Sequence, residues 1–204
     1  MHSKTFNKTK NYVLLAALTA VVLILQLAGV TVRLGATNVS LVLIPIVFGA
    51  ITLGPVAGAW LGFVFGAETL IVGGIMGLDP LFTAILFQST PVMTALICIV
   101  KSTVAGYVAG LLYRLIEKKS KIAALFVAAA AAPVINTGLF ILGGLLISNV
   151  LAEKFANGAG VSVIYFLVFG CAGINFIFEF VLNMVVTPLL RGIIDVATRS
   201  FGKR

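Results

Sequence analysis

Long apolar runs separated by short polar or glycine-proline breaks set the plan of this chain. The first run covers residues 11–30. A connection containing Arg33 and Asn38 follows, then a shorter run over 39–53. Gly54-Pro55 marks the start of the next run, 55–75, because proline suits a first helical turn, where its missing N–H would have no partner in any case. Residues 76–89 form a connection with an Asp79-Pro80 turn signal. The remaining runs are 90–116, 122–150 and 161–190, divided by a tight basic loop at 117–121 and a polar, glycine-containing loop at 151–160. Apolar stretches of about 18 residues or more cross a bilayer as helices. The pattern therefore predicts an all-α integral membrane protein, a single domain of six transmembrane helices over residues 1–204 with short basic tails. Pro45 and Pro133 predict kinks in the second and fifth helices.

The segment LIPIVFGAITLGPVAGAWLGFVFG, residues 43–66, places Gly54, Gly58, Gly62 and Gly66 at four-residue steps. Positions four apart share a helix face, and a face of glycines admits another helix backbone at close range. Ala16 and Ala20 in the first helix repeat the small-residue spacing, as do Ala105, Gly106, Ala109 and Gly110 in the fourth. Such faces serve either internal packing or contact with another membrane subunit.

Composition agrees with the pattern: 61% of the 204 residues are hydrophobic, 10% are charged, and the mean hydropathy is +1.19. The net charge of +8 raises the question of nucleic acid. The placement of the charge excludes it, since no basic face with interleaved aromatics is present. With six spans, one side of the membrane holds both termini and Lys4, Lys8, Lys10, Arg114, Lys118, Lys119, Lys121, Arg191, Arg199, Lys203 and Arg204. The other holds Arg33 and Lys154, with Lys101 inside the membrane. That bias puts both termini in the cytoplasm. The run 11–30 is too long for a signal-peptide core and shows no small-x-small cleavage pattern, so it reads as the first transmembrane helix.

Charged and amide side chains inside a membrane mark a pair, a ligand or a pathway. Lys101 lies about 22 Å from the basic end of its helix at 1.5 Å per residue, and Glu179 sits at similar depth. Three roles fit them: a structural ion pair, a substrate carboxylate on Lys101, or a proton relay through Glu179. Asn136 and Thr137, just beyond Pro133, and Asn175 either tie helices together or line a polar cavity. Gln88, Asn38 and Arg33 lie near the opposite face, where each is a solvated end residue or part of a pocket opening outward. Glu68 is open to either reading, Asp79 reads as a turn residue, and Asn183 reads as packing glue. Cys98 and Cys171 sit in apolar runs and read as small packing residues.

No catalytic constellation, metal cluster, cofactor motif or phosphate-binding Gly-Lys-Ser loop is present, and the one histidine is in the N-terminal tail. No duplicated half of the kind common in secondary transporters stands out. Three functions remain: a solute-binding subunit driven by partner ATPases, an autonomous ion-coupled carrier using Lys101 and Glu179, or an assembly protein without a small ligand.

The segment LVLIPIVFGAITLGPVAGAWLGFVFG, the later DP, the alanine-rich helix with APVINTGLF and six spans in about 200 residues together resemble the substrate-binding (S) subunits of energy-coupling factor (ECF) vitamin transporters. The resemblance covers nearly the whole chain and is greatest to the pantothenate-type members. It implies a prokaryotic cell-membrane protein that binds a water-soluble vitamin and associates with a transmembrane coupling subunit and two ATPase subunits. By the same resemblance, Ala16 and Ala20 face the coupling subunit, and the connection with Arg33 and Asn38 caps the substrate. Gln88, Asn136, Thr137 and Asn175 line the pocket. A small anionic solute is compatible with Arg33 or Lys101; few aromatics are placed to sandwich a flat ring such as flavin or pterin, with Phe82, Phe87 and Tyr165 the candidates to stack on one. Other vitamins or precursors, such as folate or riboflavin, remain alternatives.

Overall fold

In a computed structural model that describes residues 2–29, 33–34, 37–38, 41–79 and 82–201, all elements are helical except one short hairpin. The first helix, α1, is His2–Gly29. Strands β1 (Arg33–Leu34) and β2 (Thr37–Asn38) follow, then α2 (Leu43–Thr52) and α3 (Pro55–Glu68), which continues in wider π-helical turns over Thr69–Ile75. Next come α4 (Thr83–Ser89), α5 (Pro91–Ile116), α6 (Lys121–Leu146) and α7 (Ser148–Leu151), the last passing into π turns at Ala152–Ala156. The chain ends with α8 (Val163–Tyr165), π turns at Phe166–Ala172, and α9 (Gly173–Phe201).

Five described stretches are long and apolar enough to cross a membrane: Thr9–Ala28, Pro55–Ile75, Pro91–Ile116, Lys121–Leu146 and Val163–Leu189. The second apolar run departs from expectation. Its helix has 10 residues, or about 15 Å at 1.5 Å per residue, half of a hydrocarbon core of about 30 Å. Pro45 is the third residue of α2. In that first turn a proline removes no intrahelical hydrogen bond, which is why it need not bend the helix. The expected connection at 76–89 contains a helix, α4. Its start is held by Asp79, whose Oδ2 accepts from the Thr83 backbone N–H at 3.0 Å and from its hydroxyl at 2.6 Å.

The glycine stripe meets α5. A Cβ built on Gly58 would strike the carbonyl of Gly106, one on Gly62 that of Ser102, and one on Gly66 that of Cys98. The numbers rise along one helix as they fall along the other, so α3 and α5 run antiparallel, backbone against backbone. Gly54 has another task. Its φ of 106° lies in the region where a side chain is strained, and it caps α3 beside the Arg114 guanidinium. Beside that contact, Ala109 and Tyr113 of α5 pack against Ala124, Leu125, Ala128 and Ala132 of α6. Small residues on α5 therefore serve internal packing on two sides.

Hydrogen bonds fix the direction of α1. Trp60 Nε1 donates to Thr19 Oγ1 at 3.3 Å, and Gln26 Nε2 donates to Thr69 Oγ1 at 3.1 Å. Residue numbers rise together, so α1 and α3 are parallel. Leu18 and Val22 pack there with Val42, Leu43, Ile46, Leu61 and Phe65. Leu167 lies against Gly144 near the far end of α6, from which α9 runs back. The start of α1, the Gly54 turn, the loop between α5 and α6, and the end of α9 thus share one end of the bundle. The opposite end carries α4, α7 and the 151–160 segment, where Lys154 pairs with Glu153 at 2.8 Å.

Replacing Gly62 with valine would drive a branched side chain into the Ser102 backbone. The expected cost is at the upper end of the about 1–3 kcal/mol typical of overpacking, or more. Thermal unfolding of the purified protein checks this: Gly62→Val should lose most of its monodisperse folded fraction, and an unchanged Tm would show that the helices do not touch there.

Candidate functional site

Between α1, α3 with its π turns, α4, α5, α6 and α9 lies a cavity of about 140 Å³. A water needs about 10–15 Å³ of such space, so the cavity has room for a small organic solute and not only for water. Its polar wall comes from several helices. Lys101 and Thr94 project from α5, Asn136 and Thr137 from α6, Asn175 and Glu179 from α9, and Gln26 from α1. Thr69, Asp79 and Thr83 complete it, and Phe65, Phe82, Phe140 and Phe176 form much of the apolar wall.

Lys101 is the cation of this site. Its Nζ stands 5.6 Å from the ring centroids of both Phe65 and Phe140, an arrangement that holds a charge by attraction to the ring faces. The structural pair with Glu179 does not form: both residues line the cavity, and Lys101 makes no ion pair among the described residues. The two aromatic rings hold the ammonium, leaving it available to a solute.

Two acceptors in the wall also lack internal partners. Asn136 and Thr94 are 7% and 2% exposed, and Asn136 Oδ1 and Thr94 Oγ1 have no hydrogen-bond partner among the described residues. By contrast, Thr69, Thr103 and Ser102 return their hydroxyls to the carbonyl four residues back. Other wall groups are fixed by the protein: Asn175 Nδ2 donates to the Cys171 carbonyl at 3.3 Å, and Asp79 is held by Thr83. A solute that offers an anionic group to Lys101 and O–H or N–H donors to Asn136 and Thr94 would satisfy all three.

Local irregularity shapes this wall. Pro133 inside α6 has no N–H for the Ala129 carbonyl, and Asn136 and Thr137 follow within about one turn. Thr69 begins one π-helical stretch, and Leu167, Cys171 and Ala172 belong to another. Such wider turns re-aim side chains and often accompany functional sites. Pro133 is legible in the sequence, whereas the π turns after Glu68 and Tyr165 carry no comparable mark.

The structure gathers Lys101, Asn136, Thr137 and Asn175 of the sequence-derived set at one cavity. Gln88 is exposed and outside the lining of this cavity: Thr83 and Leu86 occupy the inward face of α4, and Gln88 lies about 200° around the helix from Leu86. Arg33 and Asn38 are direct partners in the hairpin register, and their side chains lie outside the described residues. Phe82 lines the cavity, while Phe87 does not, and Tyr165 makes a tilted contact with Phe169 at 4.9 Å, away from it. Ala16 and Ala20 are exposed on the outer side of α1. Sequence reasoning missed Gln26, Thr69, Thr83 and Thr94, and it read the buried, cavity-lining Asp79 as a plain turn residue.

Removing the Thr83 hydroxyl should leave the buried Asp79 carboxylate one donor short. Thr83→Val is expected to destabilise the protein by about 1–3 kcal/mol, read as a Tm several degrees lower. An unchanged Tm would mean that the Asp79–Thr83 contact does not hold α4 in place.

The chain matches the family described as "ECF transporter, substrate-specific component" over residues 10–191. No curated protein and no solved structure matches it. The matched span contains all the cavity residues from Gln26 to Glu179 and each of the five long apolar stretches except the first residue of the first. With a solute-sized polar cavity inside a bundle of membrane-spanning helices, and a family match over most of its length, the chain belongs to the substrate-specific components of ECF transporters.

Proposed function

We propose that this chain captures pantothenate for an ECF-type importer in a prokaryotic cell membrane. As a substrate-specific component it is a transport subunit for a small molecule, and other subunits of the ECF module hydrolyse ATP. The observation that carries the choice of solute is Lys101, a cation without an ion-pair partner among the described residues, set among acceptors on Thr94 and Asn136 that are unpartnered there too. Pantothenate is a small flexible acid with one carboxylate, one amide and two hydroxyl groups. Its carboxylate suits Lys101, and its hydroxyl and amide donors suit the acceptors. A cavity of about 140 Å³ favours it over the larger folate and riboflavin. The hairpin of Arg33 and Asn38 follows Gln26 closely and is the proposed cap over the solute.

In this reading the chain crosses the membrane six times, α2 being a short second crossing, with both termini in the cytoplasm. The shared end of the bundle supports it. Arg114, Lys118, Lys119 and Lys121 stand there beside the Gly54 turn, on the side that positive charge favours. Ala16 and Ala20 are proposed as the contact with the coupling subunit, which suits their exposed, small-residue face.

Equilibrium binding of pantothenate to the purified protein tests the solute assignment. Lys101→Met should weaken it more than about tenfold, as expected for losing a charge-assisted contact, and equal affinity would remove Lys101 from the site. For the partner face, Ala16→Trp with Ala20→Trp should abolish co-purification with the coupling subunit and leave solute binding intact. Unchanged association would place the contact elsewhere.

A further inference from the structure

Beyond the cavity, α9 carries Asn175, Glu179, Asn183 and Thr187 at four-residue steps. They form one polar face about 18 Å long at 1.5 Å per residue. All four are buried, at 6%, 8%, 1% and 2% exposure. Asn175 and Glu179 line the cavity, whereas Asn183 and Thr187 lie past it, toward the end of the bundle that bears the basic loop. Asn183 Nδ2 donates to the Glu179 carbonyl at 2.9 Å. Among the described residues its Oδ1 has no hydrogen-bond partner, and neither has Thr187 Oγ1.

The neighbouring elements do not answer that need. Helices α2 and α6 both pack against α9. The buried residues of α2 are Leu43, Pro45, Ile46, Val47, Gly49 and Ala50, none with a side-chain donor, and among those of α6 only the cavity residue Asn136 has one. Thr187 also departs from the habit of this protein, since Thr19, Thr52 and Thr103 each return the hydroxyl to the carbonyl four residues back. Pro188, in the same turn, has no N–H to give the Met184 carbonyl its usual helical donor. Buried polar atoms of this kind are satisfied by ordered water in native proteins.

We infer that Asn183 and Thr187 bind ordered water, and that this water continues the polar wall of the cavity as a hydrated seam along α9. Water donates to Asn183 Oδ1 and exchanges hydrogen bonds with the Thr187 hydroxyl. The seam gives the cavity a route for water from the basic end, so that the volume left by a departing solute refills without an empty apolar void. This inference does not depend on which solute the cavity takes.

Radiolytic hydroxyl-radical footprinting of the full-length protein in lipid nanodiscs tests it, because bound water is the local source of radicals. Met184, next to Asn183, should be oxidised at a rate comparable to the exposed Met76. The rate at Met184 should fall several-fold in the Asn183→Leu, Thr187→Val double variant while Met76 is unaffected. A Met184 that resists oxidation in the natural sequence, or an equal rate in the double variant, overturns the proposal. If the double variant does not fold, Thr187→Val alone decides, valine having nearly the same shape. In a dry seam, removing an orphan hydroxyl raises the Tm and the proposal fails; in a hydrated seam the Tm falls or stays level.

Discussion

Everything in this bundle rests on the contact of α3 with α5 at backbone distance. Gly58, Gly62 and Gly66 lie against Gly106, Ser102 and Cys98 without room for a single added carbon. In a membrane, lipid tails compete with apolar side chains for contact, so close fit is what holds helices together. The seam also sets the site. Lys101 is the residue before Ser102, so the same contact that locks Ser102 to Gly62 fixes the depth and direction from which the ammonium reaches Phe65 and Phe140.

That placement explains how a charge survives inside an apolar bundle. A buried cation with a fixed carboxylate partner would be neutralised before any solute arrived. Two ring faces hold Lys101 more weakly and leave its hydrogen-bond donors available. Asn136 and Thr94, with unpartnered oxygens, pose the complementary demand. A solute that met these groups would stabilise the fold by its binding free energy.

Much of this was legible in the sequence, for definite reasons. The apolar runs gave the five long helices because their length exceeds what any soluble core requires. The four-residue step of glycines announced a close helix contact, and the depth of Lys101 and the amides after Pro133 pointed to a polar interior. Three things were not legible. The helix α4 has only seven residues, too few for a periodic pattern, and depends on a side-chain bond from Asp79. The partner of Lys101 could not be chosen, since depth along two helices does not say which side chains stand beside its ammonium. The π turns that aim Thr69 and Cys171 at the cavity arise from packing and leave no residue signature. The outward direction of Gln88 was not legible for the same reason as α4: it is set by a helix that the sequence did not reveal.

The central claim is that this chain, without any partner, holds one small solute in the cavity beside Lys101. Calorimetric titration of the purified, ligand-stripped protein with a panel of water-soluble vitamins tests it most directly. The account predicts tight one-to-one binding of pantothenate and no comparable heat from folate or riboflavin. Folded protein that binds no member of the panel would contradict it, and tight binding of a large ring vitamin instead would contradict the assignment of the solute.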